Sequence, residues 1–295
     1  SREPRLGAIG RHLIDAGGKR VRPTVVLLVY HAAAGSEPAR RDDIVEVAVA
    51  LELIHSATLL HDDIIDGGEV RRGKPSALRA FGLADTLVAG DFLFSRAFAL
   101  CARFEACVIR WAAEACVSLT EGEIMQGRFR HDPAVTVDDY LEIIERKTAS
   151  LFTAGAKTAA HIAGASPDIV QAMASCGRHV GLAFQTSDDL LDVGHTAVTG
   201  KPRGIDLRDG NPSLPIVLGL AIDPELRRLF TKRRLEPSEV EQGIARIRRS
   251  GVLVEVAAAT TRHVDAALAE IERLPASPYR TMLETLAQGL GDRPT

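Results

Sequence analysis

The sequence predicts an all-α fold, one domain over residues 1–295 built from roughly ten helices. Three observations carry that expectation. Apolar residues recur at three- and four-residue spacing, the period of a helix face rather than of a strand. Alanine is abundant, which favours helix and lets helices approach closely. Alternating patterns flanked by turn pairs, the mark of strands, are scarce.

The elements follow in order. Gly17-Gly18 breaks the chain, and Pro23 then opens the apolar run Val25 to Tyr30, read as a buried helix segment. After a break at Gly35 to Pro38, the residues Ile44, Val45, Ala48, Leu51, Ile54, His55 and Thr58 form one stripe running into an acidic cluster. Gly67-Gly68 and Gly73 to Pro75 close that helix. Leu141, Ile144, Thr148, Leu151 and Phe152 form a second stripe, and Val252, Val256, Ala259, His263, Ala266, Ala267 and Ile271 a third. Further breaks fall at Gly164 to Pro167, Gly200 to Pro215 and Leu274 to Pro278, and no low-complexity linker divides the chain.

Bulk properties exclude several classes. A net charge of −3 speaks against a general surface for nucleic acid, so any basic site must be local. The four cysteines form no CxxC pair and read as free thiols of a reducing, cytoplasmic compartment. No run approaches the roughly 20 apolar residues of a membrane span, so the chain is not expected to be transmembrane.

The chemistry lies in two copies of one acidic pattern, DDIID at Asp62, Asp63 and Asp66 and DDLLD at Asp188, Asp189 and Asp192. On a helix the first and last aspartates of each share a face. Clustered carboxylates repel unless cations sit among them, and hard oxygen ligands suit Mg2+, which commonly uses one or two carboxylates plus substrate phosphates. Two such faces suggest one phosphorylated ligand gripped from both sides through metal. Four basic segments alternate with them: Gly17 to Pro23 carrying Lys19, Arg20 and Arg22; Arg71-Arg72-Gly73-Lys74; Arg146-Lys147-Thr148; and Gly200-Lys201-Pro202-Arg203. The alternation matches a site for two diphosphates, one held through metal and one by Lys and Arg directly.

The markers GGKRVRP (17–23), LIHSATLLHDDIIDGGEVRRGKP (53–75), GDFLFSR (90–96), EGEIMQ (121–126), ERKTASLF (145–152), GLAFQTSDDLLD (181–192) and GKPRGIDLRDGNPSLP (200–215) resemble the all-trans polyprenyl diphosphate synthases nearly end to end. The resemblance implies the isoprenoid synthase fold, helices around a central active-site cavity. It implies linear all-trans products made from isopentenyl diphosphate and an allylic diphosphate (geranyl, farnesyl or geranylgeranyl). Asp62, Asp66 and Asp188 would bind Mg2+, about three ions with the allylic diphosphate; Asp63, Asp189 and Asp192 complete the acidic set as direct or water-mediated partners. Arg71, Lys147 and Lys201 would add charge to that diphosphate. Lys19, Arg22, His55 and Arg72 would bind isopentenyl diphosphate without metal. Thr148 and Gln185 would stabilise the allylic cation, and Phe184 would pack near the isopentenyl unit. A homodimer, with peripheral membrane contact for product release, is also implied.

Product length turns on the residues before the first cluster. Ala57 and Thr58 lie one turn below the carboxylates and are small, where short-chain members carry an aromatic floor. The expected product therefore exceeds twenty carbons, with geranylgeranyl diphosphate as the alternative; Phe92, Phe94 and Phe98 are candidate floors or plain core. Two departures stand out. Asn211 occupies a position where many members carry a lysine, and only 16 residues precede Gly17, which reads as a truncated start. A catalytic large subunit needing a small partner is a further alternative. The six intact carboxylates speak against a non-catalytic partner subunit, and 4% aromatics against a class I terpene cyclase.

Overall fold

The computed structural model describes residues 3–35, 40–194 and 203–292, so Lys201 lies outside the described residues. The helices are α1 (Pro4–Asp15), α2 (Val21–Ala34), α3 (Arg41–Ile65), α4 (Ala77–Phe81), α5 (Leu83–Cys101), α6 (Ala106–Arg128), α7 (Val137–Ile144), α8 (Ser150–Ile162), α9 (Pro167–Val193), α10 (Ile205–Asp209), α11 (Leu214–Ile222), α12 (Pro224–Phe230), α13 (Pro237–Arg249), α14 (Val252–Ile271) and α15 (Pro278–Gly291). The all-α expectation holds, with more and shorter helices than roughly ten. Two departures from it are local. Val70–Arg71 pairs with Lys74–Pro75 in a hairpin whose central residues, Arg72 and Gly73, both have positive φ, as a tight primed turn requires. Glu145–Ala149 is one turn of π-helix between α7 and α8, where periodicity alone read unbroken helix.

Local chemistry sets the ends that matter. Asp42 and Asp43 in the first turn of α3 favour its positive N-terminal dipole. At its other end the N–H of Asp66 closes onto Asp62 O at 2.9 Å, so the first acidic motif caps the helix. One apolar cluster joins α2, α3, α8, α9, α14 and α15; a second joins α7, α11 to α14 and the C-terminal part of α9. Helix α8 packs on both α3 and α9, which places the two acidic C-terminal ends around a shared cleft.

Among the described residues α3 is long and apolar enough to cross a membrane, contrary to the sequence reading, but half of that window is buried inside the fold. It is a central core helix. All four cysteines are free, as expected.

Between α9 and α14, His179 and His263 bring their Nδ1 atoms to 3.1 Å, so one ring donates and the other accepts. Burial lowers both, His263 to about 4; His179, Arg178 and Arg262 add to this and Glu145 opposes it. For His179 the carboxylates of Glu270 and Glu145 also oppose the shift. Native values below the ordinary 6.5 mean that this stability is present above pH 6.5 and lost as pH falls toward 4. The pair is partly exposed, which limits its worth to about 1 kcal/mol. Thermal unfolding of the wild type and His263→Gln at pH 7 and pH 5 is expected to show the wild type losing about 2–4 °C more on acidification.

Candidate active site

A cavity of about 210 Å3 lies between the ends of α3 and α9, lined by Asp66, Gln126, Arg130, Lys147, Thr148, Gln185, Asp189, Asp206 and Asn211 among others. In the first motif, burial pushes Asp62 up to about 6, against the pull of Lys147 and with Glu123 and Asp66 adding repulsion. Asp66 is exposed at the cleft edge and pairs with Arg130 at 2.7 Å. Asp63 behaves differently. It is 2% exposed and accepts from Arg71 Nε at 2.7 Å and from the N–H of Ala77 at 3.2 Å. Both its oxygens anchor the hairpin and α4 to α3.

The second motif repeats this division. Asp188 is half-buried and faces Lys19 at 4.0 Å. Asp189 is 2% exposed and accepts from Tyr140 Oη at 2.6 Å, the Leu214 N–H at 2.9 Å and Gln185 Nε2 at 2.9 Å. Burial pushes it up to about 6, and these three donors pull the other way. Asp192 accepts the N–H groups of Ile205 and Asp206 at 3.0 and 3.2 Å, capping α10. Its value is raised by burial against those donors. Burial, then Asp192, Asp189 and Asp209, holds Asp206 well above the usual carboxylate range.

The structure adds hydrogen-bond partners to this division of the acidic set. Asp63 and Asp189 are committed to protein donors, and Asp192 to backbone, because a buried carboxylate must be hydrogen-bonded. Arg71 spends its Nε on Asp63. Asp66 and Asp189 line the first cavity and Asp188 the second, and Asp62 stands near Lys147, Glu123 and Asp66. Among the described residues no three His, Cys, Asp or Glu stand close enough to hold an ion alone. That donor chemistry fits Mg2+, which takes one or two carboxylates and completes its shell with phosphate oxygens and water.

Lys147 and Thr148 are positioned by close helix packing. A Cβ on Gly122 of α6 would stand 2.5 Å from Lys147 N, and one on Gly181 of α9 would stand 2.6 Å from Ala149 Cα. The π-turn is thus pressed between two helix backbones that only glycine allows so near. Lys147 Nζ donates to Gln126 Oε1 at 2.6 Å and pairs with Glu123. Burial would lower its ammonium, but Asp62 and Glu123 outweigh burial and raise it. Thr148 Oγ1 donates to Gln185 Oε1 at 3.0 Å, extending a chain that ends at Asp189.

A second cavity of about 350 Å3 adjoins Asp188, lined by Gly18, Lys19, Arg20, Arg22, Glu52, His55, Arg72 and Phe184. Arg22 lies over Phe152 at 4.9 Å and Phe184 at 5.8 Å, and its buried Nε has no partner among the described residues. Burial lowers Arg22 to about 10, with Glu52, Asp188 and Asp62 opposing. A cation so placed favours an anionic ligand. Burial, then Arg22, Arg72, Arg71 and Arg20, holds His55 well below 6.5, so it enters as a neutral imidazole. Arg72 donates to Gly17 O, pinning the hairpin to the glycine loop. The structure brings Lys19, Arg22, His55, Arg72 and Phe184 together, as expected.

Below the carboxylates, fully buried Ala57 and half-buried Thr58 continue down α3 to an apolar seam lined by Ile54, Leu51, Ala50 and Val47 with Cys101, Val108, Ala112, Ala154 and Thr158. The seam holds only about 10 Å3 among packed side chains. Phe92, Phe94 and Phe98 are half-buried and none lines that seam. Phe94 stacks against His61 instead, at 5.9 Å.

Sequence reasoning missed Arg130, Gln126, Glu123, Tyr140 and Asp206 as parts of the site. Glu123 and Gln126 lie in the EGEIMQ marker and Asp206 in the GKPRGIDLRDGNPSLP marker, so those segments held a signal; Arg130 and Tyr140 had none.

A model of the polyprenyl synthetase family matches residues 3–247. The chain is 33% identical over 288 residues to octaprenyl diphosphate synthase of Escherichia coli, covering 96% of this chain and 88% of that one. It is 33% identical over 294 residues to geranylgeranyl diphosphate synthase of Methanosarcina mazei, covering 97% and 89%. The crystal structure of a polyprenyl synthase from Caulobacter crescentus CB15, complexed with calcium and isoprenyl diphosphate, superposes with a TM-score of 0.91 at 36% identity, covering 98% of this chain and 89% of that one.

Proposed function

The chain belongs to the polyprenyl synthetase family and is a prenyltransferase elongating all-trans polyprenyl diphosphates, and we propose that its product exceeds twenty carbons. It would grow by successive 1′-4 condensation of isopentenyl diphosphate with an allylic diphosphate. What supports the length is that the seam below Ala57 and Thr58, though packed, has no aromatic side chain in its lining. It reaches Val47, about four helical turns below Asp62, or roughly one turn for each added unit. The 10 Å3 bore favours geranylgeranyl diphosphate as the second reading.

Mg2+ dependence is general in the family; the ions would rest on Asp62, Asp66 and Asp188, about three in number, and offset the charge of the departing diphosphate. Lys147 adds a fixed cation on the same side. Lys19, Arg22 and Arg72, with neutral His55, hold isopentenyl diphosphate in the second cavity. The Thr148 and Gln185 oxygens turn their dipoles toward the allylic cation once its C–O bond ionises. The isopentenyl double bond attacks that carbon, and the proton then lost passes to the departing diphosphate, so no histidine base is needed. Exposed Leu87 and Val88 on α5 and Val117 and Ile124 on α6 support a homodimer.

The test is product chromatography after incubation with Mg2+, isopentenyl diphosphate and each of the three primers. Release of inorganic diphosphate with products beyond twenty carbons is expected. Ala57→Phe is expected to shorten the main product by at least one isoprene unit, because an aromatic ring there fills about a turn of the seam. Products that stop at twenty carbons would select the second reading, and an unchanged length in Ala57→Phe would remove Ala57 from the path of the growing chain.

A further inference from the structure

The cleft holds a cation that its neighbours have built in. Arg130 follows the end of α6 and precedes His131, which has a φ of +60° and donates its N–H to Gly210 O at 2.9 Å. That loop contact sets Arg130 beside Asn211. Its Nε donates to Asn211 Oδ1 at 3.0 Å, and its Nη2 donates to Asp66 Oδ1 at 2.7 Å. One planar guanidinium therefore spans the cleft from the segment after α10 to the acidic cap of α3. Of its five N–H donors two are engaged by Asn211 and Asp66 among the described residues, and Arg130 lines the cavity. The other cation on that wall, Lys147, is already offset by Glu123.

We propose that Arg130 is a binding residue for the allylic diphosphate, aimed by Asn211 and held in reserve by Asp66. The inference rests on the prenyltransferase reading of this cleft. When Asp66 turns to a divalent ion, the guanidinium loses one partner and keeps the other. Asn211 still fixes its plane, and the freed N–H groups meet phosphate oxygens in the paired geometry that suits arginine. A neutral amide at 211 is what this requires, since a cation there would repel the guanidinium.

The test compares the wild type with Arg130→Gln, Asn211→Lys and the double variant. Two quantities are read: the Kd for inorganic diphosphate with Mg2+ by calorimetry, and the separate KM values for farnesyl and isopentenyl diphosphate. Arg130→Gln is expected to weaken diphosphate binding and raise the farnesyl diphosphate KM by about 10- to 100-fold, the range for one charge-assisted contact, while the isopentenyl diphosphate KM moves less than about threefold. Asn211→Lys alone is expected to weaken binding by displacing Arg130. The double variant, with lysine supplying the cation, is expected to recover at least about tenfold over Arg130→Gln. Wild-type Kd in Arg130→Gln, or a loss falling equally on both substrates, overturns the assignment while leaving the enzyme reading intact. A wild type that neither binds diphosphate nor condenses the substrates overturns both.

Discussion

Asp62→Asn is expected to lower kcat/KM by about 10^3-fold while leaving thermal stability unchanged or slightly raised, and Asp63→Asn to lower thermal stability while leaving kcat/KM nearly unchanged. The two aspartates are neighbours in sequence and face different tasks. Asp62 is half-buried beside Asp66 and Glu123, and its carboxyl is pushed up to about 6 by burial, so its charge is maintained against the fold's preference. An amide there relieves repulsion but removes an anionic oxygen from the cleft. Asp63 carries the charge that pairs with Arg71 and accepts the Ala77 N–H. Neutralising it leaves a partly buried guanidinium short of a partner, which costs about 3 kcal/mol, or roughly 6–12 °C. Steady-state kinetics and thermal unfolding of both variants decide the matter. If Asp63→Asn lost activity as Asp62→Asn does with no change in unfolding temperature, Asp63 would belong to the metal site after all.

Gly122→Ala is expected to reduce kcat by about 10^2-fold and to cost about 1–3 kcal/mol, although the glycine touches no substrate. Its added Cβ would meet the backbone N of Lys147 at 2.5 Å and Arg146 Cβ at 2.9 Å. These are backbone and Cβ atoms, not the flexible end of a side chain, so α6 and the π-turn must part by about 1 Å. Lys147 and Thr148 move with the turn, and a displacement of that size is what positioned catalysis tolerates least. Gly127→Ala on the same helix provides the control, since its Cβ would meet nothing within 4 Å. It is expected to be neutral or slightly stabilising, as alanine is the better helix former. Equal behaviour of the two variants in kcat and unfolding temperature would show that the α6 contact does not place the turn.

The helical stripes, the breaks and the placement of the first DDxxD motif at a helix end were legible because they depend on residues within a few turns of each other. The isopentenyl diphosphate pocket was legible in part, through the family resemblance: Lys19 and Arg22 follow one glycine pair, and Arg72 follows the first acidic cluster. The π-turn was not, because the 3.6-residue apolar pattern through Leu141 and Thr148 is compatible with plain helix, and the shift comes from packing against Gly122 and Gly181. The depth of the product path was not legible for a related reason. Small residues at Ala57 and Thr58 permit space, but whether space exists depends on what α5, α6 and α8 press into it.

By itself the sequence indicated a site for two diphosphates, through six carboxylates alternating with basic segments, since charge and helical spacing are properties of the local chain; its resemblance to the all-trans polyprenyl diphosphate synthases supplied the reaction class. Only the tertiary structure shows which carboxylates are held by protein donors. Tyr140 reaches Asp189 from 49 residues away, and Arg130 reaches Asp66 and Asn211 across 64 and 81 residues. Partners at such separations are fixed by the packing of whole helices. The same packing buries one aspartate of each motif among donors that hold it, and it sets Asp66 in the wall of the first cavity and Asp188 in that of the second.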